Sequence, residues 1–290
     1  MTHLERACAG DPLAMAWLEA LPAHISRLTS EWGLILQDPI GEEASCSWVA
    51  PGVDGSGRAV VLKLGMPHME ARDEARALRL WSGDGAVRLL RHDSESGAML
   101  LERLQPGYTL RKEEEPVQDE IIAGLLKRVW THRPPPGEFR HLSEMINVWM
   151  ASTKAAIDRW TDPERVREGL AMMTILSTPA DDDVLLVTDL HAGNVLRANT
   201  ASAQQGVMQD GWCIIDPKPF IGDPAYDATQ HLLNCHSRMA DRPLQTIGRM
   251  ADALGLERAR VRAWTFARAA AESCRVSDPY FVQLALTISP

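Results

Sequence analysis

No stretch of the chain approaches the ~18 consecutive apolar residues that a membrane-crossing helix requires. Its five cysteines (Cys8, Cys46, Cys213, Cys235 and Cys274) are odd in number, scattered and without a Cys-x-x-Cys pair. That argues against a disulfide framework and for a reduced, cytoplasmic protein. Basic charge is in short supply: 30 Lys and Arg against 39 Asp and Glu leave a net −9. Nucleic acid is thereby excluded as the main partner, whereas a cationic small molecule is compatible with the balance. The first residues show no basic-then-apolar order, so they do not read as a signal peptide. Gly-x-Ser-x-Gly is missing, as is His-Glu-x-x-His, which removes the usual serine-hydrolase and zinc-protease signatures. What remains is ordinary globular material, 45% apolar and 24% charged. At 290 residues it exceeds the usual single core, so two lobes or two domains are expected.

The most informative stretch is Val187-Thr188-Asp189-Leu190-His191-Ala192-Gly193-Asn194-Val195-Leu196, followed by Ile214-Ile215-Asp216. An Asp and an Asn in one short loop, then an Asp ending an apolar strand, form the acidic half of a phosphoryl-transfer site. One carboxylate meets the hydroxyl to be phosphorylated, while a side-chain amide and a second carboxylate hold a divalent cation against nucleotide phosphates. The basic half lies upstream. Ala59-Val60-Val61-Leu62-Lys63-Leu64 reads as a strand with Lys63 among apolar neighbours, after a turn at Asp54 to Gly57. The helix expected over Met69 to Trp81 offers Glu74 as the partner of Lys63, with Glu70 in reserve. The competing reading makes Lys63 an edge-strand charge and Glu74 a solvated carboxylate.

Asp11-Pro12 predicts a helix start, with the helix running to about Thr29. Strands are expected over 34–39, 45–50, 59–64, 87–92 and 98–102, and a hinge at Leu104-Gln105-Pro106-Gly107. Beyond it the pattern turns helical. Ile121, Ile122, Leu125, Leu126, Val129 and Trp130 form one apolar stripe, and helices are expected over 142–160 and 163–177, then from Tyr226 to about Arg275. Met145, Trp149 and Ile157 share a side of the second, the tryptophans read as core, and 199–210 reads as a polar turn between strands.

Asp189-Leu190-His191-Ala192-Gly193-Asn194, Ile215-Asp216-Pro217 and Gly222-Asp223-Pro224-Ala225-Tyr226-Asp227 resemble the signature blocks of the aminoglycoside phosphotransferases. The similarity is greatest to the streptomycin 6-phosphotransferase and hydroxyurea-resistance kinase branch, and runs from about residue 30 to about 275. It implies an α+β, bilobal, protein-kinase-like fold: a nucleotide-binding lobe of antiparallel sheet and one key helix over 1–104, and a mainly helical catalytic lobe over 105–290. It further implies an ATP- and Mg2+-dependent kinase with Asp189 as base, Asn194 and Asp216 as metal ligands, and Lys63 on the phosphates. The adenine would meet the backbone of the linker at Leu100 to Leu104, with Glu102 and Leu104 as its binding residues. Two departures stand out. Val187-Thr188 replaces the family's His-Gly, and a loop with Ser45, Cys46 and Ser47 replaces a glycine-rich phosphate cradle. Asp223 and Glu272 are the candidates for holding a cationic acceptor, with the Asp181-Asp182-Asp183 run behind them. Asp223 also reads as a helix cap, and Asp227 as a buttress of the catalytic loop. The expected protein is a monomer that O-phosphorylates a streptomycin-like aminoglycoside. The rivals are a kinase for another antibiotic or metabolite and a nucleotide-binding pseudokinase.

Overall fold

The computed structural model describes residues 3–40, 46–198, 211–273 and 279–290. Ser45, Cys274 and the turn expected over 199–210 lie outside the described residues.

A short helix α1 (His3–Cys8) leads into α2 (Pro12–Trp32). Asp11 caps α2, its carboxylate accepting from the Leu13 and Ala14 amides, and Pro12 takes the first helical position, where no N–H is needed. The helix stops at Gly33, whose φ of 62° lets the Leu34 amide turn back to the Thr29 carbonyl. Five strands follow: β1 (Ile35–Leu36), β2 (Ser47–Val53), β3 (Ala59–Gly65), β4 (Leu89–His92) and β5 (Met99–Glu102). They form one antiparallel sheet in the order β1-β2-β3-β5-β4. Lys63 therefore sits in the central strand, opposite Val49 on one side and Met99 on the other, and is not an edge charge. Alternation along β3 sends Val60, Leu62 and Leu64 into a core with Trp17, Leu21 and Leu28 of α2, and Lys63 to the opposite face. Under that face lies α3 (Glu74–Trp81), entered through a 3-10 turn at Glu70–Asp73.

The second lobe opens with β6 (Pro106–Thr109), then α4 (Glu115–Val129), α5 (Leu142–Ala155) and α6 (Pro163–Leu176). Next come β7 (Val184–Leu186), β8 (Val195–Ala198), β9 (Trp212–Ile214) and β10 (Phe220–Gly222). The helices α7 (Asp227–Asn234), α8 (His236–Asp241), α9 (Pro243–Leu254), α10 (Arg258–Glu272) and α11 (Pro279–Ile288) complete it. Two small antiparallel sheets, β6-β8-β9 and β10-β7, carry the loops of the candidate site. Among the described residues, no helix is long and apolar enough to cross a membrane.

Several elements differ from the sequence reading, the short helix α1 among them. Pro106-Gly107 reads as a break but forms an edge strand on β8, where the missing N–H of a proline is tolerated. The three-residue β10 and the final helix α11 were not foreseen. Ile157 lies beyond the end of α5 and is exposed, whereas Met145 is buried. The change of architecture near Leu104 is not a gap in packing. Ala77, Leu78 and Trp81 of α3, with Met99 and Leu101 of β5, belong to the same apolar core as Leu125, Leu126, Ile214 and Phe220. The main chain is stitched there as well, because the Val87 amide donates to the Ile214 carbonyl and the Ile214 amide to Gly85.

Candidate active site

Lys63 and Glu74 are both buried, and the Lys63 Nζ donates to Glu74 Oε1 at 2.6 Å and Oε2 at 2.8 Å. Glu70, the reserve partner, is not at this pair. The same ammonium reaches Asp216 Oδ1 at 2.5 Å, as does Lys218 Nζ, also at 2.5 Å. Burial works against the charge on Lys63, but Glu74 and Asp216 overcome it and hold the ammonium above the usual lysine range. Burial likewise opposes the charge on Asp216, and the two lysines outweigh it, keeping the carboxyl far below the carboxylate range. Both lysines approach Oδ1; among the described residues none bonds Oδ2. That oxygen and Asn194 Oδ1 are the hard donors the site offers a divalent cation, a donor set that fits Mg2+. Asn194 is aimed by its own amide, since Nδ2 donates to the Asp189 carbonyl at 2.9 Å and leaves Oδ1 on the other side.

The turn before Asp189 explains how the loop manages with Val187-Thr188. Thr188 has a φ of 56°, a region that glycine enters freely and a β-branched residue enters at a cost. The Asp189 amide donates back to the Val187 carbonyl at 2.8 Å across this turn. Three contacts hold it. The Thr188 hydroxyl donates to the Lys218 carbonyl at 2.5 Å, and the fully buried Asp227 accepts the Val187 amide at 3.0 Å and the Thr188 amide at 2.7 Å. Asp227 also accepts from Trp130 Nε1, so its carboxylate braces the loop from α7. His191 helps from within: its Nδ1 accepts the Gly193 amide at 3.0 Å. Burial, aided by Arg111, pushes the His191 imidazole down to about 4, so it is neutral and a ring nitrogen is free to accept.

Asp189 itself is half-buried, and Gln230 Nε2 of α7 donates to its Oδ1 at 2.9 Å. Burial raises its carboxyl to about 6; Asp216 and Glu70 push the same way, Lys218 and Arg268 the other. Behind Gln230 lies the buried Arg268 of α10, whose Nη2 donates to Gln230 Oε1 at 2.5 Å. Beyond Arg268, Trp149 Nε1 of α5 donates to Glu70 Oε1 at 2.9 Å while its ring lies 5.5 Å from the Arg268 guanidinium carbon. Lys218, Gln230, Arg268 and the Glu70–Trp149 pair were not foreseen as site groups. Lys218 carries a local signal, a cation two residues past Asp216. Gln230 and Arg268 carry none, because only the packing of α7 on α10 brings them to Asp189.

The remaining candidates are placed as follows. Ser47 opens β2 opposite Gly65, one residue inside the limit of the described segment. Glu102 ends β5 with its Oε1 accepting the Arg88 amide at 2.8 Å, and Leu104 is buried in the linker. Asp223 is a correction. Its Oδ1 caps the turn at Ala225, while Oδ2 accepts from Arg260 Nε and Trp264 Nε1, each at 2.6 Å. A buried carboxylate neutralised by a guanidinium is scaffold, not a contact for a cationic substrate. Asp183 is similarly spent on the Ala180 amide and His141, and its run precedes β7, whereas Asp189 follows it. Glu272 is half-buried at the last residue of α10.

Comparison with known proteins finds antibiotic kinases. The family model described as "Aminoglycoside/hydroxyurea antibiotic resistance kinase" matches residues 33–279. Streptomycin 6-kinase of Streptomyces griseus is 35% identical over 273 residues, covering 90% of this chain and 84% of that protein. Hydroxyurea phosphotransferase of Kitasatospora aureofaciens is 32% identical over 266 residues, covering 89% and 74%. Among solved structures, a spectinomycin phosphotransferase in complex with ADP and spectinomycin aligns with a TM-score of 0.56 at 14% identity, over 92% of this chain and 98% of that one. At that identity the likeness speaks for the fold alone.

Proposed function

Because the chain belongs to the aminoglycoside/hydroxyurea antibiotic resistance kinase family, we propose that it uses ATP and Mg2+ to phosphorylate a hydroxyl of a streptomycin-type aminoglycoside. The observation that carries the reading is the contact of Lys63 with Glu74 and Asp216 and of Lys218 with Asp216, beside Asn194 on the Asp189 carbonyl, with the charges of Lys218 and Asp216 felt at Asp189. A module that only bound nucleotide would have no need of a carboxylate held for an acceptor, so the pseudokinase rival is the weaker one.

Lys63 and Lys218 would face the nucleotide phosphates and offset their charge. Asn194 and Asp216 would hold Mg2+, which when bound neutralises phosphate charge and aligns the phosphates for in-line transfer. Asp189 orients the acceptor hydroxyl and takes its proton as the oxygen attacks the γ-phosphorus and ADP departs. With its carboxyl held near 6, Asp189 is mostly ionised at neutral pH and still basic enough to accept. Glu102 and Leu104 would flank the adenine, and Ser45 and Ser47 the phosphate loop. For the acceptor we assign Glu70, whose charge reaches Asp189, together with Glu272. We take the protein to be a monomer, and its scattered cysteines without a Cys-x-x-Cys pair favour the cytoplasm.

The test is ADP release with streptomycin, other aminoglycosides and hydroxyurea as acceptors, with products identified by mass spectrometry. Streptomycin-dependent turnover is expected. The second reading, phosphorylation of hydroxyurea, is favoured by the 32% identical relative and would appear as turnover with that small neutral acceptor only. ADP release that no acceptor stimulates would overturn both.

A further inference from the structure

Gln230 and Arg268 are assigned above to neither phosphate, metal nor acceptor, yet the Gln230 side chain ends on the reacting carboxylate and that of Arg268 on Gln230. A guanidinium only donates hydrogen bonds, so the atom that Arg268 Nη2 meets at 2.5 Å must be the Gln230 oxygen. This settles the orientation of the amide: its NH2 faces Asp189 and donates to Oδ1 at 2.9 Å. The opposite orientation would set donor against donor at Arg268. Arg268 is itself fixed. Its Nη1 donates to the Thr229 hydroxyl at 2.7 Å, that hydroxyl donates to the Tyr226 carbonyl at 2.6 Å, and the guanidinium carbon lies 5.5 Å from the Trp149 ring and 5.1 Å from the Tyr226 ring. On the main-chain side, Asn194 holds the Asp189 carbonyl.

We propose that Gln230, aligned by Arg268, is the positioning residue of the catalytic aspartate, occupying Oδ1 and leaving Oδ2 as the atom that takes the acceptor's proton. The proposal rests on the reading of Asp189 as the base. In the transfer step the acceptor O–H bond breaks and its proton passes to Oδ2. The acceptor oxygen bonds to the γ-phosphorus, and the bond from that phosphorus to the β–γ bridging oxygen breaks, its electron pair leaving on ADP. An oxygen already occupied by an N–H is the poorer proton acceptor, and a carboxylate held at one oxygen cannot rotate out of line. Small misplacements of such a group cost large factors in rate.

The experiment compares Gln230→Glu, Gln230→Leu, Arg268→Met, the Gln230→Leu/Arg268→Met double variant and Asp189→Asn. Mg-ATP with streptomycin is one assay. Slow ATP hydrolysis is the second, in which water takes the place of the acceptor hydroxyl. Gln230→Leu is the decisive variant: it removes the donor to Asp189 without adding a charge, and is expected to lose kcat by on the order of tenfold in both assays, with KM for ATP within about twofold. Gln230→Glu keeps the volume and the contact with Arg268 but sets a second carboxylate against Asp189, where the two cannot both ionise, so it is expected to lose at least as much and to move the rise of kcat to higher pH. Arg268→Met is expected to lose less, and to add nothing in the Gln230→Leu background, since Arg268 acts through Gln230. Parental kcat in Gln230→Leu, or additive losses in the double variant, overturns the proposal. An inactive Asp189→Asn beside a fully active Gln230→Leu rejects the positioning role alone, whereas turnover retained in Asp189→Asn rejects the base and the positioning role together.

Discussion

The hydroxyl of Thr188 donates to the main-chain carbonyl of Lys218 at 2.5 Å, tying the turn before the catalytic loop to the segment that carries Asp216. The link lets a β-branched residue occupy a left-handed turn. Replacement by valine keeps the unfavourable backbone and removes the bond. Thr188→Val should therefore destabilise the protein by ~1–3 kcal/mol. Thr188→Gly relieves the backbone while losing the same bond, so it should cost less. Urea unfolding of the two variants checks the order, and a more stable Thr188→Val would refute this account.

If Asp189 acts on the acceptor as proposed, Asp189→Asn should lower kcat by ~10²–10⁴-fold while ATP binding persists. Because burial raises the Asp189 carboxyl to about 6, kcat/KM should climb as pH rises through about 6 and level off above it. A flat profile between pH 5 and 8 would remove Asp189 from the base role.

Lys63→Met leaves the buried Glu74 without its partner, a change worth about 3–5 kcal/mol in stability. Adding Glu74→Leu should restore much of the melting temperature and none of the activity. Asp216→Ala, by contrast, should weaken Mg2+-dependent ATP binding, measured by calorimetry at several metal concentrations. Unchanged ATP affinity in that variant would contradict its assignment as a ligand.

If Glu70 holds a cationic group of the acceptor, Glu70→Gln should raise KM for streptomycin more than KM for ATP. It should also flatten the rise of that KM with salt, because exposed charges are screened over ~8–10 Å at moderate ionic strength. Equal changes in both KM values would assign Glu70 to the scaffold through Trp149.

His231 offers a pH test remote from the chemistry. Burial disfavours its charge, but Asp119 and Cys235 overcome this and raise the imidazole to about 9. The charged form is therefore favoured by folding. Its contribution is complete below the unfolded value near 6.5 and fades as pH rises toward 9. Stability of the parent protein should fall across that window, and His231→Gln should lower the plateau and remove the slope.

Much of the architecture was legible because periodicity and caps are local. Asp11-Pro12 and Asp162-Pro163 marked helix starts that the structure retains, and the alternation around Lys63 marked β3. The Asp189 to Asn194 spacing and the strand before Asp216 pointed to groups that do come together with Lys63, since both lie in one continuous stretch. Illegible were contacts made by folding alone. Gln230 and Arg268 are ordinary polar residues on helices until α10 packs on α7, and Trp149 read as core although its Nε1 bridges to Glu70. Asp223 read two ways because a cap and a substrate carboxylate look alike in sequence; only Arg260 and Trp264 separate them.

The apolar core that runs from α3 and β5 into the second lobe bears on how such a protein can be taken apart or recombined. A fragment ending near residue 104 would carry Leu78 and Trp81 with nothing to cover them, and the remainder would bare the opposing face. The two lobes should unfold in a single cooperative transition. A chimera that exchanges one lobe for a relative's will stand or fall on whether that shared face is exchanged with it.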